Sequence, residues 1–166
     1  MKLKIYTDGS CKGNGTENSR GGWAYICLDE NEQIIGSGSG GINDNTTNNR
    51  MELIAALKGI KCAEEIATKI RIIYCEIYTD SAYLHNCIKQ KWYVNWQSNG
   101  WLTSKKTEVL NKDLWEQLIP YFDDSRFEFF KVKGHTSKQD WNDKVDKMAQ
   151  KAADSYIVEE EEIYNG

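Results

Sequence analysis

Proline and histidine are scarce in this chain, and it has no long apolar run. The 166 residues include one proline and only two histidines, His85 and His135. A single proline argues against a long disordered linker. No apolar run approaches the roughly 18 residues that a membrane span requires, so no membrane partner is predicted. The length and the ordinary composition, 40% hydrophobic and 28% charged, predict one domain with its own core.

The cysteines do not follow a pattern typical of a zinc site. Their number is odd, no two are spaced as C-x-x-C, and only two histidines accompany them. Reduced thiols are therefore expected. Met1 to Lys4 leads directly into an apolar run without a secretory signal, which favours a cytoplasmic location, and a monomer is the default expectation. The five cysteines are Cys11, Cys27, Cys62, Cys75 and Cys87.

The net charge of −4 is accounted for by the end of the chain. Glu159 to Glu162 form an acidic run, and the other residues carry equal numbers of acidic and basic side chains. We therefore predict one domain over residues 1–157 and a solvated acidic tail over 158–166. The negative charge is only weak evidence against a nucleic-acid partner, because a cation bound by carboxylates adds positive charge that the sequence count does not include.

One tetrapeptide occurs twice, as Ile5 to Asp8 and as Ile77 to Asp80. Its β-branched and aromatic residues predict a strand, and the small residues after each aspartate predict the strand end. If the two strands are neighbours and parallel, the carboxylates lie roughly 5 Å apart at one sheet end. Such a pair favours a divalent-metal site. The alternative is that both aspartates simply begin turns.

Apolar periodicity and turn residues predict an α/β fold with a five-stranded mixed sheet in the order 3-2-1-4-5, flanked by helices. Short turns make the first three strands antiparallel, and a helical crossover makes the fourth parallel to the first. A segment at 91–109 is predicted to be irregular, and Pro120 is expected to disturb its helix. The predicted strands are 3–8, 23–28, 33–39, 71–80 and 126–132, and the predicted helices are about 18 residues from 46, 81–90, 111–122 and 141–157.

Three further polar residues each have a structural and a chemical interpretation. Asn49 to Glu52 fits a capping box, in which Glu52 reaches back to its own helix start, but Glu52 could also face the strand ends. Asp146 either complements a helix N-terminus or joins the metal site, and Asp143 competes with it. His135 is either a solvated loop residue or a proton carrier near neutral pH.

Four segments together carry a more specific pattern: Thr7–Cys11, Thr46–Leu53, Tyr78–Ser81, and Val132–His135 followed by Asn142 and Asp146. In this order they resemble the motifs of type 1 ribonuclease H, in the layout of its bacterial members, over about residues 2–155. The resemblance implies a ribonuclease H-like fold. It also implies an endonuclease that hydrolyses the RNA strand of RNA/DNA hybrids, leaving 5′-phosphate and 3′-hydroxyl ends.

The resemblance also implies a set of catalytic residues. Two divalent cations, expected to be Mg2+ with Mn2+ as a substitute, would be held by the acidic residues Asp8, Glu52, Asp80 and Asp146. His135 would help the product leave or carry a proton. The residue types suit this chemistry, because hard cations prefer oxygen ligands and two of them can activate water and relieve phosphate charge.

Substrate contacts follow from the same motifs. By resemblance, Cys11, Asn14, Asn48 and Asn49 would line the minor groove of the hybrid, and Thr47 with Asn14 would hold a DNA phosphate. The 2′-hydroxyl that such groups detect is what distinguishes RNA from DNA. The structural alternatives are turn and helix-cap roles, which asparagine can combine with binding.

The segment 91–107 resembles the basic protrusion of bacterial members. Its candidate substrate residues are Trp92, Trp96, Trp101, Lys105 and Lys106, the lysines as phosphate contacts. Local packing is the alternative for the tryptophans. Gln97 to Asn99 stands where relatives are usually basic, so we expect weaker and more salt-sensitive hybrid binding. Ala82 stands where many relatives carry glutamine, so we expect one contact to the RNA strand to be missing.

Three rival functions remain open at this point. A hybrid-binding module without catalysis would lack a carboxylate, whereas all four are present. Another nuclease of this fold acting on DNA is permitted, because a fold does not settle function. A fragment of a reverse transcriptase is the third, although the start at Met1 and the acidic tail favour a free-standing protein.

Overall fold

In the computed structural model, one mixed sheet runs through the molecule and helices cover both of its faces. The structure describes residues 1–42, 45–72, 74–132, 140–155 and 160–163. Within these residues the strands are β1 (Lys2–Lys12), β2 (Arg20–Leu28), β3 (Ile34–Ile42), β4 (Tyr74–Thr79), β5 (Phe127–Lys131) and β6 (Glu160–Ile163). The helices are α1 (Asn48–Ala67), α2 (Ala82–Gln90), α3 (Trp92–Asn99), α4 (Lys112–Phe122) and α5 (Trp141–Ser155).

The sheet confirms the predicted topology. The strand order is β5-β4-β1-β2-β3-β6, which contains the predicted order 3-2-1-4-5. β1, β2 and β3 form the antiparallel meander, while β4 is parallel to both β1 and β5. As a result β1 lies in the interior of the sheet, and it pairs with β4 as far as Tyr6 opposite Tyr78.

The acidic tail adds one strand that the sequence pattern did not indicate. Residues 160–163 pair antiparallel with β3, with Ser37 opposite Glu162, where a solvated end was expected. The backbone groups on an edge strand lack partners, so β3 offers a ready template even to a segment of low strand propensity. The outer edge of β3 is therefore covered over these four residues.

Other boundaries differ in ways that tertiary pairing explains. β1 continues to Lys12 because its ladder with β2 extends to Arg20, although the predicted loop began at Gly9. The segment predicted to be irregular contains helix α3, which ends at Gly100 in a left-handed conformation with φ 78°. Pro120 lies inside α4, and the helix continues past it to Phe122.

The core has two layers, one on each face of the sheet. The predicted apolar face of α1, made by Leu53, Ala56, Leu57 and Ile60, is buried. On the opposite face, Val145 and Ala149 of α5 pack against Ala24, Ile26 and Leu28 of β2. None of the described helices is both long enough and apolar enough to span a lipid bilayer.

We predict that Gly22→Ala destabilises the chain. A Cβ at Gly22 would overlap the carbonyl oxygen of Ala149 and crowd the backbone nitrogen of Ala153, so α5 would have to move off β2. Overpacking of this kind costs about 1–3 kcal/mol of unfolding free energy, measurable by urea denaturation.

Gly100→Ala is the control for this substitution. A Cβ at Gly100 meets no atom within 4 Å, so only its φ of 78° adds a cost, of about 1 kcal/mol. Wild-type activity and an unfolding free energy for Gly22→Ala no lower than that of Gly100→Ala would contradict the packing account.

Candidate active site

Two acidic residues come together where the pairing between β1 and β4 ends. Tyr6 of β1 lies opposite Tyr78 of β4, so Asp8 and Asp80 follow two residues later at the same sheet end. The hydroxyl of Thr7 donates to the carbonyl oxygen of Tyr78 at 3.2 Å and ties the strands together there. The two copies of the repeated tetrapeptide therefore lie side by side.

The backbone N–H of Gly9 joins a third acidic residue to this pair. It donates to Asp8 Oδ1 at 2.9 Å and to Glu52 Oε1 at 3.1 Å. A Cβ at Gly9 would overlap the backbone of Met51 and Glu52, so only glycine lets α1 approach β1 this closely. One donor thus holds carboxylates that lie far apart in the sequence.

The capping-box interpretation of Glu52 is wrong. Thr47 is the N-cap of α1, and its hydroxyl accepts a hydrogen bond from the backbone N–H of Arg50 at 3.1 Å. Asn49 lies inside the helix, so a cap at that position is excluded. Glu52 lies five residues beyond the cap, and its carboxylate bonds to Gly9 of β1 instead.

Oxygen atoms of Asp8, Glu52 and Asp80 lie within 4.8 Å of one another. Asp8 and Glu52 are 2% and 5% exposed, and Asp8 Oδ2 and Glu52 Oε2 have no hydrogen-bond partner among the described residues. Buried carboxylate oxygens without partners are costly, and the neighbouring negative charges repel. A divalent cation fits this site, because it supplies both a partner for the oxygens and the opposing charge.

The electrostatics of the metal-free site follow from burial. Burial raises the pKa of Asp8 far above its usual range, and the adjacent charge of Glu52 raises it further. Burial also raises the pKa of Glu52, with a contribution from the charge of Asp80. The fold therefore holds these two side chains where their charged forms are costly, as a cation-binding site requires.

Asp146 reaches the same site from the opposite layer. It lies on α5 and lines the same cleft as Asp8, and its side chain contributes to the raised pKa of Asp8. The side-chain amide of Gln150, one turn further along α5, donates to Asp146 Oδ2 at 2.9 Å. Asp143, the competing candidate, lies outside the cleft lining, and its backbone N–H donates to Asp140.

The acidic residues lie at the floor of an open cleft of about 570 Å3. Four of the residues predicted to contact the substrate also line it: Cys11, Asn14, Asn48 and Asn49. The side-chain oxygen of Asn14 accepts from the backbone N–H of Asn48 at 2.6 Å, which fixes the loop after β1 against the start of α1. The helix start and the loop thus form one continuous polar wall.

The three candidate tryptophans form an aromatic cluster beside α4. The ring centroids of Trp92 and Trp96 are 6.2 Å apart, those of Trp96 and Trp101 are 5.9 Å apart, and Trp96 lies 5.5 Å from Trp115. All three candidates are partly buried and pack against the core, as the alternative of local packing predicted. Lys105 and Lys106 follow the cluster in an exposed turn.

His135 lies outside the described residues, so its predicted role stays a prediction. Several cleft-lining residues were not singled out from the sequence, among them Tyr83 and Gln150. The hydroxyl of Tyr83 accepts hydrogen bonds from Asn111 and Trp115, which links the cleft to α4. Gln150 had a signal, the four-residue spacing from Asp146 that places both on one helix face.

The fold and the site together define an α/β protein with an open cleft lined by acidic residues that could hold a cation. The family model for RNase H matches residues 1–154. A ribonuclease H of Syntrophomonas wolfei is 41% identical over 155 residues, which cover 93% of this chain and 97% of the relative. The chain therefore belongs to the ribonuclease H family and is an endoribonuclease.

Solved structures agree on the fold. LC9-RNase H1, a type 1 RNase H with the type 2 active-site motif, superposes with a TM-score of 0.74 at 23% identity. The match covers 95% of this chain and 74% of that one. LC11-RNase H1, solved in complex with an RNA/DNA hybrid, gives 0.64 at 20% identity, covering 92% and 96%.

We predict that the stability of the metal-free chain falls as pH rises from about 4. Below that pH, folded and unfolded chains are both protonated at Asp8 and Glu52. Above it the unfolded chain releases these protons first, because both pKa values are raised in the folded state, so the unfolding free energy decreases. Asp8→Asn should relieve this and stabilise the chain at pH 8 by about 1–3 kcal/mol.

Urea denaturation in excess chelator at pH 3 and pH 8 measures this effect. The gain from Asp8→Asn should disappear at pH 3. Glu17→Gln, which removes an exposed carboxylate, is the charge control and should leave the pH dependence unchanged. Equal pH dependence in wild type and Asp8→Asn would rule out the electrostatic account.

Proposed function

We propose that this chain hydrolyses the RNA strand of RNA/DNA hybrids by a two-metal-ion mechanism and leaves 5′-phosphate and 3′-hydroxyl ends. Membership of the family supports ribonuclease H activity on hybrids. The observation that supports the two-metal-ion mechanism is a pair of buried oxygens without hydrogen-bond partners among the described residues. These oxygens, Asp8 Oδ2 and Glu52 Oε2, lie beside Asp80 in an open cleft. A cleft that only bound nucleic acid would have no use for such costly carboxylates.

The four carboxylates would hold the cations. Asp8 and Glu52 accept hydrogen bonds from the backbone N–H of Gly9, and Asp146 accepts one from Gln150 of α5. Bound Mg2+, or Mn2+ in its place, supplies water activation and charge neutralisation at the scissile phosphate. The protein contributes the fixed oxygen ligands, which need no rearrangement when the cations arrive.

Substrate positioning is proposed for the polar wall of the cleft. Asn14, Asn48 and Asn49 present amide groups that both donate and accept hydrogen bonds, as recognition of a 2′-hydroxyl requires. Cys11 lines the same wall. Thr47 caps the helix whose first N–H groups favour a phosphate, so its role as a phosphate contact is compatible with its cap.

The tryptophan cluster is proposed to support Lys105 and Lys106, which would contact phosphates of the substrate. Packing of Trp92, Trp96 and Trp101 against one another fixes the turn that carries Lys105 and Lys106. Exposed lysines on a fixed turn contribute to affinity by counterion release and carry no sequence specificity. His135 is proposed to aid product release, on its motif position alone.

We predict that Asp80→Asn abolishes cleavage but leaves hybrid binding intact. Loss of one charged ligand should lower the rate about a hundredfold or more, because the cation then neutralises less of the developing charge. The measurement uses one labelled RNA strand, presented alone, paired with RNA and paired with DNA, with Mg2+ or with chelator. Only the DNA-paired RNA with Mg2+ should be cut, and only by the wild type.

Asp143→Asn is the matched control, because it removes an acidic residue of α5 that lies outside the cleft. It should cleave at the wild-type rate. Cleavage in excess chelator would refute the metal mechanism. Cutting of a DNA duplex would favour the DNA-nuclease alternative, and hybrid binding without cleavage would favour the binding module.

A further inference from the structure

Asp146 is more exposed than Asp8 and Glu52 of the acidic cluster. Asp8 and Glu52 are buried and share a backbone donor, whereas Asp146 is partly exposed and projects from α5. A partly exposed aspartate can change rotamer, which would move its oxygens away from Asp8. A hydrogen bond to its carboxylate limits such a movement.

One stripe of α5 faces β1 at intervals of four residues. Asp146 lines the same cleft as Asp8, and Asp154 forms an ion pair with Lys12 two turns further along. Gln150 lies between these two contacts and lines the cleft. Residues four apart on a helix are neighbours, so Gln150 occupies the position from which Asp146 can be oriented.

The backbone of α5 is itself fixed at this place. Ala149 and Ala153, the residues next to Gln150 and Asp154, pack so closely on β2 that Gly22 has no room for a Cβ. Gln150 therefore projects from a rigid turn. Its amide donates to Asp146 Oδ2 at 2.9 Å. This bond engages one carboxylate oxygen and limits rotation of the side chain.

The structure assigns Gln150 as a positioning residue that orients the Asp146 carboxylate for cation binding. This inference rests on the proposed function. A neutral amide suits the role, because it orients the carboxylate without neutralising the charge that a cation requires. A cationic side chain here would compete with the metal, and a carboxylate would repel Asp146.

Gln150→Ala and Gln150→Glu test the assignment. The first removes the side chain, and the second keeps its shape but replaces the donor with an acceptor. Both variants should weaken Mn2+ binding to the free protein about tenfold. This is the lower end of the range for residues that hydrogen-bond to metal ligands, because Gln150 is exposed. Electron paramagnetic resonance of unbound Mn2+ gives this affinity without any substrate.

Kinetics supply the second readout. Both variants should lower kcat and raise the Mg2+ concentration for half-maximal activity, while the KM for hybrid stays within about twofold. Gln150→Lys restores a donor but adds a positive charge beside the site, so it should not recover the Mn2+ affinity lost in Gln150→Ala. Gln117→Ala is the matched control, since Gln117 is an amide on α4 that donates one turn back to Asp113, outside the cleft.

Wild-type Mn2+ affinity in both Gln150→Ala and Gln150→Glu would overturn the assignment, as would the same loss in Gln117→Ala. A wild type that binds Mn2+ but cuts no hybrid would refute the proposed function alone. In that case the Mn2+ affinities of the Gln150 variants still decide the positioning role.

Discussion

The shared hydrogen bond from Gly9 to Asp8 and Glu52 is the contact on which the site depends. It requires that the first turns of α1 approach β1 so closely that a side chain at Gly9 would not fit between them. The remaining packing keeps that approach possible: the apolar face of α1 is buried on the sheet, and Thr47 sets where the helix begins. A shift of α1 by one residue would direct Glu52 away from Asp8.

This contact also creates the electrostatic problem that the function uses. Two carboxylates share one donor, and each keeps a buried oxygen with no partner among the described residues. Burial and mutual repulsion disfavour the charged pair, so the metal-free fold carries a cost at neutral pH. Asp80, which follows β4, and Asp146 of α5 line the same cleft, and their negative charge favours a cation there. The fold thus gives up stability to keep a cation site ready.

The sheet and part of the site could be predicted from the sequence because they depend on short-range patterns. The repeated tetrapeptide located Asp8 and Asp80, and crossover geometry placed their strands side by side and parallel. The local sequence pattern did not predict the contact of Glu52 with β1, because a capping box and the observed arrangement differ only in the residue at which the helix begins. It failed also for β6, since pairing with the β3 edge depends on a partner distant in the sequence. Gln150 was missed because its four-residue spacing from Asp146 becomes significant only when α5 is known to face β1 at that point.

An anomalous difference map from crystals soaked in Mn2+ tests the central claim most directly. The account predicts a peak bound by the two oxygens without partners, Asp8 Oδ2 and Glu52 Oε2, with Asp80 in the same coordination sphere. The contradicting result is a map with no peak there. Then the buried pair would be a structural feature, and the cation would have to bind elsewhere.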